Sequence, residues 1–474
     1  MSNTELKSER PIPLAISLLP IFFLIGTLSL VIVAFKQEAH IALVCATAFA
    51  AVIAALYGYS WKTILKGMEK GIGLAMGAML ILIIVGTMIG TWIMGGVVPA
   101  MIYYGLQILS PGFFLVAAMV ICSVVSLGTG SSWSTAGTVG VALIAIGQGL
   151  GIPIGMVGGA IISGSYFGDK MSPLSDTTNL APAVAGTDVF THVRHMIYTT
   201  WPSYLISIIL FGILGSRFGA GHLDTAKIDN ILQTIKSNFL ISPWLLLPPV
   251  LVIVMVVRKV PPLPALFMGT ILGGIFAIFF QSRGLADVFA AAHSGFISHT
   301  GVPTVDDLLT RGGMLSMMST VALIVGALSF GGVMERSGML NTIASALVRR
   351  VKTSGSLVAV TIFSCITMNV IAADQYMAIV IPGRMYKKAY EKLKLHPKNL
   401  SRCLEDSATM TSALVPWNSC GAFMFATLGV NPLVYLPYAF LNLLNPVVSL
   451  FYGVTGITMH KVGEDTVYEA SDEE

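Results

Sequence analysis

Stretches of about twenty apolar residues recur along this chain, each long enough for an α-helix to cross roughly 30 Å of hydrocarbon. They fall at 14–34, 41–58, 72–94, 196–216, 240–257, 263–281, 313–334 and 433–453, bounded by charges, Pro or Gly. Backbone in lipid must satisfy its own hydrogen bonds, so such runs read as helices. Composition agrees: of 474 residues, 55% are hydrophobic and 11% charged, against about 25% charged in an ordinary soluble domain. Mean hydropathy is +0.82. The expected class is an all-α polytopic membrane protein embedded in a lipid bilayer; a nucleic-acid binder, a secreted scaffold and a soluble enzyme are disfavoured. The five cysteines are scattered singly with no CxxC spacing, so neither a disulfide frame nor a zinc site is indicated. The first apolar run is too long for a signal sequence and lacks a cleavage site, and is expected to be a retained helix.

Four further regions, 112–147, 153–185, 355–382 and 403–427, are apolar but interrupted by Gly, Ser, Thr, Asn, Pro and Asp. Backbone that leaves the helix at membrane depth must line a cavity or be buried in protein. We read 112–147 and 355–382 as re-entrant hairpins, and 153–185 and 403–427 as broken spans. This predicts ten crossings with both termini cytoplasmic and most of the 27 Lys and Arg residues on that side. The positive-inside rule helped select this topology over one in which 355–382 crosses outright.

The two halves resemble each other in order. IALVCATAFAAVIAALYGYS at 41 pairs with ALFMGTILGGIFAIFFQSRG at 265, and IIVG at 83 with LIVG at 323. Gly112 and Cys122 then match Gly355 and Cys365, and Asp169 matches Asp406. Five crossings per half would invert the second copy, the inverted-repeat plan of many secondary transporters. The expected division is 1–220 for the first repeat, 221–239 for an outer linker, 240–456 for the second repeat and 457–474 for an acidic cytoplasmic tail. The first repeat holds scaffold helices 14–94, hairpin 112–147, broken helix 153–185 and helix 196–216. Its counterpart holds scaffold helices 240–334, hairpin 355–382, broken helix 403–427 and helix 433–453.

Short oxygen-bearing side chains crowd the interruptions: SLGTGSSWST at 126, NVIAADQ at 369, DKMSPLSDTTN at 169 and DSATMTSALVPWNS at 406. A small hard cation such as Na⁺ needs several oxygen ligands, which side chains and freed carbonyls supply. Ser131, Ser132, Ser172, Thr177, Asn179, Asn369, Asn418 and Ser419 are candidate ligands. Carboxylates at membrane depth are a sharper signal, because an ionised one is costly there unless paired or coordinated. Asp169, Asp176, Asp374 and Asp406 qualify, with Asp176 and Asp406 placed nearer a membrane face. Lys170 beside Asp169 is a candidate to pair with it or to hold a substrate carboxylate. Glu335 is expected to pair with Arg336 at an interface, and His192 and His195 to share an interfacial helix face. No HExxH, Walker A or GxSxG sequence occurs, so no enzyme chemistry is indicated; a channel remains the third class, separable by whether flux saturates and needs a counter-ion.

The segment GSYFGDKMSPLSDTTNLAPAVAGTDVFTHVRHMIYTT, with SFGGVMERSG and the SLGTGSSWST tip, closely resembles the NhaC family of Na⁺/H⁺ antiporters, over roughly 40–455. That family includes sodium–proton exchangers and a malate/lactate exchanger coupled to Na⁺ and H⁺. It is grouped with ion transporters that use an elevator motion in a dimer. The resemblance implies Na⁺ and protons as cargo, no resident cofactor, a homodimer, and a site at the Asp169–Asn179 break and the hairpin tips. Plain Na⁺/H⁺ exchange is the simpler expectation and organic-acid exchange the alternative. Compact loops and the lack of targeting signals fit a bacterial inner membrane.

Overall fold

The computed structural model describes residues 10–219, 225–348 and 353–462. Most of the acidic tail, the start of the outer linker and the basic residues Arg349, Arg350 and Lys352 lie outside the described residues. Among those described the chain is helical, with two isolated β-bridges, Phe296 to Arg311 and Leu395 to Lys461.

The first part runs α1 (Leu14–Leu28, extended by a π turn, Ser29–Ala34), α2 (His40–Leu56), α3 (Trp61–Leu74), α4 (Met76–Met94) and α5 (Val97–Ile108). Next come α6 (Pro111–Thr129), α7 (132–149, with a π turn at Ala136–Gly140), α8 (Ile154–Met171), α9 (Asp176–Ala185) and α10 (Val189–Gly219). After α11 (Thr225–Asn238) come α12 (Pro243–Val257), α13 (Pro262–Gln281), α14 (Leu285–Ser294), α15 (Pro303–Leu309), α16 (Met314–Arg336) and α17 (Met339–Val348). The chain closes with α18 (Ser354–Ile371), α19 (Gln375–Lys392), α20 (397–412, with a π turn at Glu405–Thr409), α21 (Ser419–Leu428), α22 (Pro432–Tyr438) and α23 (Phe440–Thr455). Seven described helices are long and apolar enough to cross a membrane, as expected for a multi-pass membrane protein.

Local chemistry sets many of these boundaries. Proline opens α6, α13, α15, α20 and α22, where its missing N–H costs nothing because that group would be unpaired anyway. Ser60 caps α3 by accepting from the Thr63 N–H at 3.1 Å, satisfying one of the free donors of a helix start.

The element order helix–tip–helix, helix–break–helix, span occurs twice, at α6–α10 and at α18–α23. The apolar run 433–453, expected as one span, is interrupted: α22 lies at 89° to α21, and Ala439 at ψ 63° separates α22 from α23. Pro432 opens α22, where the missing N–H costs nothing, and Pro437 falls where α22 tightens to a 3-10 turn at Leu436–Tyr438. Part of the outer linker is helix α11, bent by 97° from α12.

Helices that position the site approach closely through small residues, as membrane helices do. A methyl group on Gly164 would strike the Met119 carbonyl of α6, and one on Gly168 the backbone of Ser126 and Leu127. Two apolar cores result. One gathers α4, α6, α7, α8 and α21 around Trp92, Phe114 and Phe423; the other joins α1 and α2 to α16–α20 around Phe330 and Tyr386.

Candidate functional site

A cavity of about 390 Å³ opens where the α6–α7 and α18–α19 tips meet the α8–α9 and α20–α21 breaks. Thr129, Gly130, Ser131 and Trp133 come from the first tip; Asp169, Leu174, Ser175, Asp176 and Thr177 from the first break; Asp374, Gln375 and Tyr376 from the second tip; and Ser419 from the second break. The remaining wall comes from α3–α4 and from the α12–α13 connection, which contributes Lys259.

Each half ties its tip to its break through one carboxylate. At the first tip, α6 ends on Gly130, whose φ of +68° turns the chain, a conformation glycine enters without a Cβ penalty. Ser131 then caps α7 by accepting from the Ser134 N–H at 3.2 Å. Ser132 donates to Asp169 Oδ2 from its N–H at 3.2 Å and from its hydroxyl at 2.6 Å. Ser175, the residue before α9, donates to Asp169 Oδ1 at 2.5 Å. At the second tip, Asp374 caps α19 by accepting from the Tyr376 and Met377 N–H groups at 2.9 and 3.1 Å. The Ser419 hydroxyl donates to its other oxygen at 3.1 Å. Four helix starts, those of α7, α9, α19 and α21, thus surround the cavity. Their partial positive charge favours negative groups there, and both aspartates are buried on neutral donors, with no ion pair to either among the described residues.

Among the sequence candidates, the cavity gathers Ser131, Asp169, Asp176, Thr177, Asp374 and Ser419. Ser132 sits one layer behind, on Asp169. The rest support the loops. Ser172 accepts from the Leu174 N–H at 3.3 Å, and Asn179 donates to the Pro173 and Ser175 carbonyls at 2.8 and 2.7 Å. Asn418 caps α21 by accepting from the Cys420 N–H, while its amide donates to the Asn369 carbonyl at 3.0 Å. Asn369 donates to the Ala408 carbonyl at 2.6 Å and to Thr411 at 2.9 Å.

Lys170 and Asp406 lie elsewhere. The Lys170 ammonium donates to Asp406 Oδ1, and to Asn445 Oδ1 at 2.7 Å. Thr199 donates to the same Asp406 oxygen at 2.9 Å, and Arg402 Nε stands 3.8 Å from the other. All of these side chains are fully buried. The expected pairing of Lys170 with Asp169 does not form, because consecutive helix residues do not face each other. For the same reason Glu335 pairs with Lys70 at 3.2 Å instead of Arg336. His192 and His195 are both buried, with His192 Nδ1 at 2.8 Å from the Ser401 hydroxyl.

The family model described as the Na⁺/H⁺ antiporter family matches residues 164–457. The chain is 41% identical over 429 residues to the Na⁺/H⁺ antiporter NhaC of Alkalihalophilus pseudofirmus, covering 90% of this chain and 92% of that one. This chain belongs to the Na⁺/H⁺ antiporter family. It is likewise 41% identical to the malate-2H⁺/Na⁺-lactate antiporter of Bacillus subtilis, over 84% of this chain and 85% of that one. The arginine/ornithine antiporter ArcD of Halobacterium salinarum is 37% identical, over 96% and 95%. Antiporters named for a cation, for carboxylates and for amino acids are therefore all similar to it.

Sequence reasoning marked the segments that hold Thr129, Ser175 and Gln375 without singling these residues out, and it missed Lys259 and Tyr376 in the cavity wall of this family member. Ser175 had a signal, as the capping residue directly before DTTN. Lys259 had none: in the sequence it is one more basic residue after an apolar run.

Proposed function

We propose that this protein is a secondary active antiporter that exchanges Na⁺ for protons across the cytoplasmic membrane by alternating access. The observation that carries this reading is the convergence of Asp169 and Asp374, each buried on neutral donors, with Ser131, Ser175, Thr177 and Ser419 around one cavity. A carboxylate removed from water on neutral donors favours one positive charge beside it, which Na⁺ or a proton can supply but not both at once. Na⁺ and protons are cargo in this reading, and no resident cofactor enters it. The twice-used element order suits an inverted repeat, in which the hairpins and broken helices travel as one body against a scaffold of α1–α4 and α12–α16. We take the assembly as a homodimer with an elevator motion, seated in a bacterial inner membrane with both termini cytoplasmic.

Purified protein in liposomes with an internal pH dye tests this. An imposed Na⁺ gradient is expected to drive proton movement, and Asp169→Asn or Asp374→Asn to abolish it while the protein still elutes as a folded species. Proton movement that needs no Na⁺, or that both variants retain, rejects the reading.

A second reading, Na⁺- and H⁺-coupled exchange of organic acids such as malate and lactate, is favoured by the four helix starts and Lys259 at the cavity. These supply positive potential where a substrate carboxylate would lie. If proton movement appears only with malate inside and lactate outside, this reading replaces the first. Lys259, not the occluded Lys170, is then the residue to substitute.

A further inference from the structure

Behind the cavity lies a buried charge cluster that cation exchange as described above does not use. Lys170 closes α8, and Arg402, Glu405 and Asp406 lie on α20 or its π turn, all four with no exposed surface. Two cations thus face two carboxylates, yet the pairing is incomplete. Lys170 and Thr199 both donate to Asp406 Oδ1, while Asp406 Oδ2 and Arg402 Nε have no hydrogen-bond partner. Neither oxygen of Glu405 has one either, although the charges of Lys170 and Asp169 and the hydroxyls of Thr409 and Thr177 act on it. Buried polar atoms without partners are rare because each forfeits its solvation. Four such atoms fall on three residues of one helix, Arg402, Glu405 and Asp406, and the π turn within it supplies a way to repartner them.

A π turn holds an extra residue relative to the α-helix, and such turns concentrate at functional positions. Moving the extra residue toward the C-terminus past both Glu405 and Asp406 rotates each of them by about 100°, the angle between neighbours. Such a rotation would carry Glu405 toward Lys170 and leave Asp406 to Arg402, whose Nε already stands 3.8 Å from it. Each cation then has its own carboxylate, and no net charge has been created in the interior.

We propose that Lys170 is a positioning residue that ties the two broken helices together, holding Asp406 in the state seen here and Glu405 in the other state of the transport cycle. Lys170 follows Asp169 directly, so the partner it holds sets how the end of α8 presents Asp169 to the cavity. The exchange thereby links cargo at the first break to the register of the second broken helix. This inference rests on the antiporter reading.

Its test is the initial rate of ²²Na⁺ uptake into liposomes against Na⁺ concentration, under a fixed pH gradient, for the full chain and Glu405→Gln. Gln has the shape of Glu, so the amide fits the same space and removes only the charge. Loss of turnover with KM unchanged is expected, because the state that binds Na⁺ is intact and the alternative state is missing its ion pair. Glu405→Asp is expected to restore part of the turnover, and it carries the test alone, with reduced turnover at unchanged KM, if the amide variant fails to elute as a folded species. Wild-type turnover in these variants overturns the proposal, as does a change confined to KM, which would place Glu405 in the cargo site. A wild-type protein with no Na⁺ flux overturns the antiporter reading itself.

Discussion

At the scale of single residues, buried charge is handled in two ways. Asp169 rests on hydroxyl and amide donors alone, whereas Asp406 rests on the Lys170 ammonium. Removing one member of a buried pair leaves the other uncompensated, at a cost of about 3–5 kcal/mol. Lys170→Met is therefore expected to lower the unfolding midpoint in detergent markedly. Adding Asp406→Asn in the same chain should recover much of that loss, and an equally unstable double variant would show that the pair is not what Lys170 contributes. Outside the membrane, Asp306 shows the opposite economy. The Thr300 N–H, then the Ser298 and Thr300 hydroxyls and the Gly301 N–H, hold its carboxyl down to about 2 from an ordinary 3.8. Its contribution is thus present above pH 3.8 and lost only as pH falls toward 2. Asp306→Asn is expected to speed hydrogen exchange around 296–311 equally at every pH from 5 to 8. A loss of protection that varies across that range would contradict the assignment.

At the scale of elements, the sequence carries what periodicity and interruption can carry. Apolar runs marked the long helices, and clusters of Gly, Ser, Asn and Asp marked where helices stop inside them. It does not carry partners: Lys170 and Asp406 lie 236 positions apart, and sequence adjacency wrongly suggested Asp169. Short helices such as α5, α14 and α15 escaped notice because two or three turns show little periodicity beside a twenty-residue run. The crossing of α6 with α8 was likewise unreadable, yet it governs the site. Gly168, next to Asp169, lies against the α6 backbone at Ser126 and Leu127, which cannot yield as a flexible side chain would. Gly168→Ala is expected to cost about 1–3 kcal/mol by overpacking and to raise the KM for Na⁺ by displacing Asp169. Unaltered thermal stability and KM would mean the two helices are not in contact there.

At the scale of the whole molecule, the site residues span the sequence from Leu74 to Ser419. Composition made a multi-pass membrane protein legible and the run around Asp169 the antiporter family, while the site's geometry does not by itself choose the cargo, because one arrangement of aspartates, hydroxyls and helix starts suits a cation and a carboxylate alike. The spread of the lining also has a consequence for biogenesis. During synthesis, no nascent chain that stops short of α21 can assemble this cavity, so cargo binding reports on completed assembly. A ligand that binds only the finished fold stabilises it by about 2.7 kcal/mol at a hundred times its Kd. Millimolar Na⁺ in place of K⁺ should then raise the melting temperature of the wild type and leave that of Asp169→Asn unmoved, and equal shifts in both would separate the cation from Asp169. Cells at low sodium would be expected to lose more of this protein to membrane proteases, tying its abundance to the ion it moves.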